Sequence, residues 1–192
     1  REVDELRQAG KRHPISVEEV IEAGPGGHKD INIWRDNFQG LTSLHKQTGL
    51  LVSGAIDDVW ELKDGSLLVV DYKATSKEGT IESLSDSSWE DQYKRQIGIY
   101  QWLLRQNGFD VNETGYFVYA NALQTEKKFD NKLIFKTTLV ACKGDTTWIE
   151  PTLHKIKDCL ESEMYPSSGE NCEYCPYREA SGKKLQAIHK KN

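Results

Sequence analysis

Asp57, Asp71 and Lys73 are charged residues set inside runs apolar enough to be buried strands. Burying an unpaired charge is costly unless a partner or a metal offsets it. Asp71 and Lys73 stand two residues apart, so in a strand they project from one face while Leu68, Val70 and Tyr72 project from the other. Asp57, on a neighbouring strand, can be brought to the same end of the sheet. Two carboxylates and an amine at one point suit a hard divalent cation, since Mg²⁺ is usually held by one or two carboxylates, with waters and substrate phosphate oxygens completing its shell. The chemistry is attack of water on a phosphodiester. The metal polarises the phosphoryl oxygen and supplies hydroxide near neutral pH, and Lys73 could orient the water or steady charge developing in the transition state. In isolation, a surface hairpin whose last residues turn polar as it emerges into water would carry the same D-x-K.

Two strands and one helix must position these side chains. Residues 50–62 and 66–73 read as strands rich in Leu, Val, Ile and Trp, joined by a tight turn at Asp64-Gly65. From Trp89 to Gln106 the pattern turns helical: Trp89, Tyr93, Ile97, Tyr100 and Leu104 recur at three- and four-residue steps, and Asn107-Gly108 supplies a stop. Gln96 and Tyr100 lie on adjacent turns of one helix face. Core packing alone accounts for Tyr100 but less well for Gln96.

Gly54-Ala55-Ile56-Asp57, then Val70-Asp71-Tyr72-Lys73, then Gln96-Ile97-Gly98-Ile99-Tyr100 resemble the PD-(D/E)XK nucleases of the RecB branch. That branch includes the nuclease domains of RecB and AddAB and the RecB-like nuclease of CRISPR adaptation. Its pattern is G-x-x-D on one strand, D/E-x-K on the next and Q-x-x-x-Y on the following helix. The resemblance implies a restriction-endonuclease-like α/β core with a mixed central sheet flanked by helices. It makes Asp57 and Asp71 ligands of Mg²⁺ or Mn²⁺, Lys73 the catalytic lysine, and Gln96 and Tyr100 a helix pair that supports the site or contacts DNA. The branch often adds a His or acidic ligand from an upstream helix, a role that falls here to His28 or to a segment preceding Arg1.

Composition sets outer limits. The chain has 192 residues and a formal net charge of −5, which suits one domain over 1–192, with a helical segment at 1–40, a core at 41–141 and a C-terminal helix and tail at 142–192. The acidic balance requires any nucleic-acid groove to be local, because phosphate contacts favour a basic surface. Lys77, Lys94 and Arg95 are placed to line it. No apolar run reaches the ~18 residues of a membrane span, and no secretory leader is evident, so a cytoplasmic protein is expected. Gly24-Pro25-Gly26-Gly27 reads as a turn, not a phosphate loop. Val3 and Leu6, then Val17, Val20 and Ile21, have helical spacing, with Pro14 between them and Ser16 as cap of the second helix. His45 is expected at the surface, at the end of a hairpin around Lys46-Gln47-Thr48-Gly49. There it pairs with Leu50, roughly 20 Å from Asp57 at about 3.3 Å per residue.

The stretch 76–88 has the composition of a mobile loop. Residues 115–120 and 133–140 read as two more strands separated by a charged turn at 127–132. Residues 148–164 read as a helix whose stripe, Trp148, Leu153, Ile156, Leu160 and Met164, belongs in a core. The tail carries Cys172-Glu173-Tyr174-Cys175-Pro176-Tyr177-Arg178, and C-x-x-C can share a zinc ion or an iron–sulfur cluster, or be a free dithiol or disulfide. The resemblance implies a [4Fe–4S] cluster completed by an N-terminal cysteine. This sequence has no cysteine before Cys142, Ser181 falls where a further ligand would be sought, and Cys142 and Cys159 are distant candidates. Residues 183–192 are basic and expected to fray.

Together these features point to a metal-dependent DNA nuclease of RecB-like type, with single- or double-stranded DNA as partner and a role in repair, recombination or defence. The alternatives are a nuclease-fold protein that binds nucleic acid or a protein partner without cutting, and a zinc or redox module centred on the C-x-x-C.

Overall fold

The computed structural model describes residues 2–19, 21–84, 88–124 and 131–189, leaving the side chains of residues 2, 3, 88 and 89 undescribed. In chain order the elements are α1 (Glu2–Gln8), α2 (Pro14–Glu18), β1 (Ala23–Pro25), α3 (Ile31–Trp34), β2 (Leu41–His45), β3 (Leu50–Gly54), β4 (Asp58–Leu62), β5 (Leu67–Thr75), α4 (Ser88–Gln106), β6 (Thr114–Ala122), β7 (Phe135–Lys143), α5 (Ile149–Glu161) and α6 (Tyr174–His189). They form two compact units, residues 1–153 and 154–192.

The first unit is built on a five-stranded sheet of order β1-β4-β5-β6-β7, beside a two-stranded sheet, β2-β3. Within the larger sheet β5 and β6 are parallel and the other neighbours antiparallel. Parallel strands need a crossover connection, and here it is α4. The alternation of β5 divides the unit. Leu67 and Val69 join one core with Val59, Phe117 and Val140, covered by Ile97, Leu103 and Leu104 of α4. Leu68 and Val70 join a second core with Trp60, Val118 and Ile15 of α2. Asp71 and Lys73 share the α4-covered front face.

The apparent strand 50–62 is interrupted. β3 pairs with β2, β4 pairs with β5, and residues 55–57 belong to neither. Ile56 N–H donates to Trp34 O at 2.9 Å, which draws the chain out of the ladder. Gly54 is required there, because a Cβ at that position would stand 2.9 Å from the Tyr100 ring and 3.2 Å from Leu103.

The N-terminal segment departs from its sequence reading in two places. Ala23–Pro25 is an edge strand paired with β4 rather than a turn, and an edge is where proline's missing N–H is tolerated. Ser16 does not cap α2. His13 does, accepting from Ile15 N–H through Nδ1, with Pro14 opening the helix. Val20 lies outside the described residues.

The hairpin β2-β3 has the expected register, His45 opposite Leu50, and α4 ends at Gly108, which has φ 86°. Residues 76–80 are not a loose connector. The buried Asn121 side chain accepts from Lys77 N–H at 2.8 Å and donates to the carbonyls of Lys77 and Gly79, while Ile81 and Leu84 pack on the front core. Residues 85–87 and 125–130, the latter including most of the charged turn, lie outside the described set.

The second unit contains the end of α5 and all of α6, and none of its described residues is buried. The expected core stripe of α5 stops at Leu153, because Ile156, Leu160 and Met164 are exposed. The tail is helical through His189 instead of frayed from 183, and residues 190–192 lie outside the described set. Among the described residues no helix is long and apolar enough to cross a membrane.

Candidate active site

The β4-β5 ladder ends at Asp58 opposite Val70. One rung further, the Asp57 carboxylate takes over as acceptor, its Oδ2 receiving the Tyr72 N–H at 2.9 Å. The break at residues 55–57 therefore delivers Asp57 to the flank of Asp71 from outside the strands rather than from a neighbouring strand. Asp71 is 1 % exposed, and its Oδ2 lies 2.5 Å from Lys73 Nζ. Among the described residues Asp71 Oδ1 has no hydrogen-bond partner. Burial pushes the Asp71 carboxyl above the ordinary carboxylate range and the charge of Asp57 adds to the push, with Lys73 opposing both.

Lys73 is fixed from three sides. Besides Asp71, it donates to Gln96 Oε1 at 3.1 Å and stands 4.6 Å from the centre of the Tyr93 ring, a cation–π arrangement. Gln96 in turn donates to the Tyr100 hydroxyl at 2.8 Å, which explains the polar residue on an otherwise apolar helix face. Tyr100 is pushed up chiefly by burial, with Gln96 opposing and the charges of Asp71 and Asp57 adding to the rise. Asp57, Asp71, Lys73, Gln96 and Tyr100 thus converge in one cluster beneath α4.

Tyr93 and Phe117 were not singled out by the sequence. Tyr93 stands one turn before Gln96 on the same face of α4, and Phe117 is the β6 partner of Asp71, 5.8 Å from the Lys73 amine. Helical periodicity exposes the first, but only the parallel register exposes the second. Tyr119, paired with Lys73, is pushed up to about 12 by burial, then by the charges of Glu90, Tyr93 and Asp71.

The basic residues near the motifs are partly engaged. Lys77 is 3.7 Å from Glu90 and Lys94 is 3.6 Å from Asp91, while the Arg95 guanidinium lies 5.7 Å from the Trp148 ring centre. The Lys77 side chain remains 62 % exposed and so is open to an anionic ligand.

His28, the candidate upstream ligand, and His45 are both engaged elsewhere. His28 stacks on Trp34 with centroids 4.4 Å apart and meets Phe109 edge-on at 5.1 Å. Phe109 lies just past the end of α4, its N–H donating to Leu104 O, and Gln106 at that end is about 15 Å along the helix from Gln96 at 1.5 Å per residue. His45 occupies the expected hairpin end but is buried, not at the surface. Its Nδ1 is 2.8 Å from Thr48 Oγ1 and its Nε2 is 2.6 Å from Glu150 Oε2, and Glu150 also accepts from the Trp102 indole.

The carboxylate pair fits a divalent cation. Asp71 Oδ1 is a buried oxygen without a partner beside a second carboxylate, which is the donor chemistry Mg²⁺ or Mn²⁺ takes. Among the described residues no group of three or more His, Cys, Asp or Glu could hold a metal, and a cation at this point would rest on the two carboxylates. In the second unit, Cys172 and Cys175 are free thiols 3.2 Å apart. Cys172 is pushed down chiefly by its hydrogen bond with Cys175, whose own thiol that bond pushes up. Two thiols with no further ligand among the described residues do not make the four-ligand set of a zinc or [4Fe–4S] site.

No curated protein and no solved structure matches the sequence. The family model of the PD-(D/E)XK nuclease superfamily matches residues 1–180, a span that contains every residue of the cluster around Asp71 and Lys73. The chain belongs to the PD-(D/E)XK nuclease superfamily.

Proposed function

We propose that this chain is a metal-dependent deoxyribonuclease of RecB-like type, hydrolysing DNA phosphodiesters at the Asp57–Asp71–Lys73 cluster in repair, recombination or defence. The observation that carries the reading is the partnerless, buried Asp71 Oδ1 next to a lysine held by Asp71 and Gln96. A core has no use for such an oxygen, and a metal site does. Asp57 and Asp71 would hold the cation. When bound, a divalent cation supplies Lewis-acid polarisation of the phosphoryl group and a hydroxide nucleophile near neutral pH.

The protein's own residues do the rest. Lys73, desolvated and oriented, places a positive charge where the phosphorane-like transition state gathers negative charge. Gln96 and Tyr100 hold its amine in that direction. Lys73 offsets part of the cost of burying the Asp71 carboxylate, and a cation on Oδ1 would offset more of it. Lys77, Lys94 and Arg95 are the nearest candidates to contact the nucleic-acid backbone. We treat residues 1–192 as one nuclease-like domain, a reading supported by the family match running to residue 180.

The test is incubation of end-labelled single- and double-stranded DNA, with RNA in parallel, in Mg²⁺, Mn²⁺ or chelator. Cleavage of DNA in metal and none in chelator is expected. Cutting of RNA alone, or cutting unaffected by chelator, would overturn the proposal.

A further inference from the structure

The residues that alternate with the candidate ligands face the other way. Asp58 follows Asp57, and Tyr72 stands between Asp71 and Lys73, so the pleat sends both to the back of the sheet. There the Tyr72 hydroxyl donates to Asp58 Oδ2 at 2.9 Å, and Asp58 Oδ1 accepts from Val59 N–H at 2.8 Å and forms an ion pair with Arg7 of α1. The side chains of Arg7 and Asp58 are 10 % and 3 % exposed. Arg7 is itself held 3.3 Å from Asp4, which also pairs with Arg35.

An ion pair buried this deeply is poor value for stability alone, because apolar residues of the same volume often do as well or better. Its placement suggests another use. The backbone ladder between β4 and β5 ends at Asp58 and Val70, so beyond that rung no strand pairing fixes Asp57 relative to Asp71. Tyr72 bridges the gap twice, its N–H to Asp57 at 2.9 Å and its hydroxyl to Asp58 at 2.9 Å. Tyr72 also packs on the back core, its ring centre 6.0 Å from that of His13. Tyr72 borders a cavity of about 500 Å³ lined also by Leu6, His13, Ile15, Val118 and Thr137.

We propose that Arg7, Asp58 and Tyr72 are positioning residues: a back-face clamp, anchored on α1, that sets the separation of the Asp57 and Asp71 carboxylates and thereby the divalent-metal affinity of the front-face site. The inference rests on the metal-dependent reading given above. Residues that orient metal ligands without touching the metal typically carry 10- to 100-fold in affinity.

The experiment is calorimetric titration of Mn²⁺ into the full chain, with thermal unfolding in parallel, for the wild type, Tyr72→Phe, Arg7→Lys and the charge-balanced pair Arg7→Met with Asp58→Asn. Tyr72→Phe keeps the ring and the fold while deleting the hydroxyl. Mn²⁺ affinity is expected to fall about 10- to 100-fold in Tyr72→Phe and in the double variant, and to stay closer to wild type in Arg7→Lys, which keeps the charge. Wild-type binding with the same dissociation constant in Tyr72→Phe and the double variant, whatever their thermal midpoints, overturns the clamp alone. A wild-type chain that takes up no Mn²⁺ overturns the metal site and the clamp with it.

Discussion

Lys73 Nζ donates to Gln96 Oε1 at 3.1 Å, a bond that ties the C-terminal part of β5 to the helix that carries the chain over to its parallel neighbour β6. A lysine has four flexible side-chain torsions and a strongly hydrated amine. Here a carboxylate, an amide oxygen and an aromatic face restrict it together.

Lys73→Ala is expected to lower the cleavage rate by about 100- to 1000-fold, the range seen when one preorganised charge-stabilising donor is removed. Circular dichroism should show the fold retained. Wild-type turnover in the variant would remove Lys73 from the chemistry.

Tyr100→Phe deletes the hydroxyl that receives the Gln96 amide while preserving the ring that packs over Gly54. One net hydrogen bond of about 1 kcal/mol corresponds to a loss of somewhat under tenfold in kcat, with KM little changed. A loss as large as that of Lys73→Ala would mean that Tyr100 acts on substrate directly rather than through Gln96.

Asp71 links stability to pH. Because burial raises its folded-state pKa, its contribution is fully present below the ordinary carboxylate pKa and is lost as pH rises through the folded-state value. The metal-free wild type should therefore lose stability relative to Asp71→Asn on going from acid to neutral pH. Mn²⁺ should restore it in the wild type alone, by binding only the folded state. Thermal unfolding across that pH range, with and without Mn²⁺, checks both signs. Parallel pH profiles for the two proteins would contradict the raised pKa.

His45→Ala should cost about 0.5–3 kcal/mol of stability by removing a buried ring and its contacts with Thr48 and Trp102, with cleavage per folded molecule unchanged. Denaturant unfolding measures the first and active-fraction kinetics the second. A stable but inactive variant would place His45 in the site.

The parts of the fold legible in the sequence are those set by local periodicity. The two-residue alternation of β5 separates Asp71 and Lys73 from Leu68, Val70 and Tyr72 without reference to anything else, and the heptad-like stripe of α4 with its Asn107-Gly108 stop is equally local. What escaped depends on partners far along the chain. The break before Asp57 is made by Trp34 O and by the approach of Tyr100 to Gly54, and no pattern within residues 50–62 announces it. His45 is buried because Glu150 and Trp102 surround it. The Asn121 side chain turns a polar loop into an anchored segment. In the same way, the positions of Tyr93, Gln96 and Tyr100 were legible as one helix face, whereas Phe117 beside the lysine and the Arg7–Asp58–Tyr72 network required the folded register.

The most direct measurement is cleavage of end-labelled DNA in Mn²⁺ by the wild-type chain and by Asp71→Ala at matched folded concentration. Metal-dependent cutting by the wild type and none by Asp71→Ala is expected, because the variant removes a buried carboxylate whose Oδ1 has no hydrogen-bond partner among the described residues. Equal cutting by the two proteins would contradict a metal site built on Asp71.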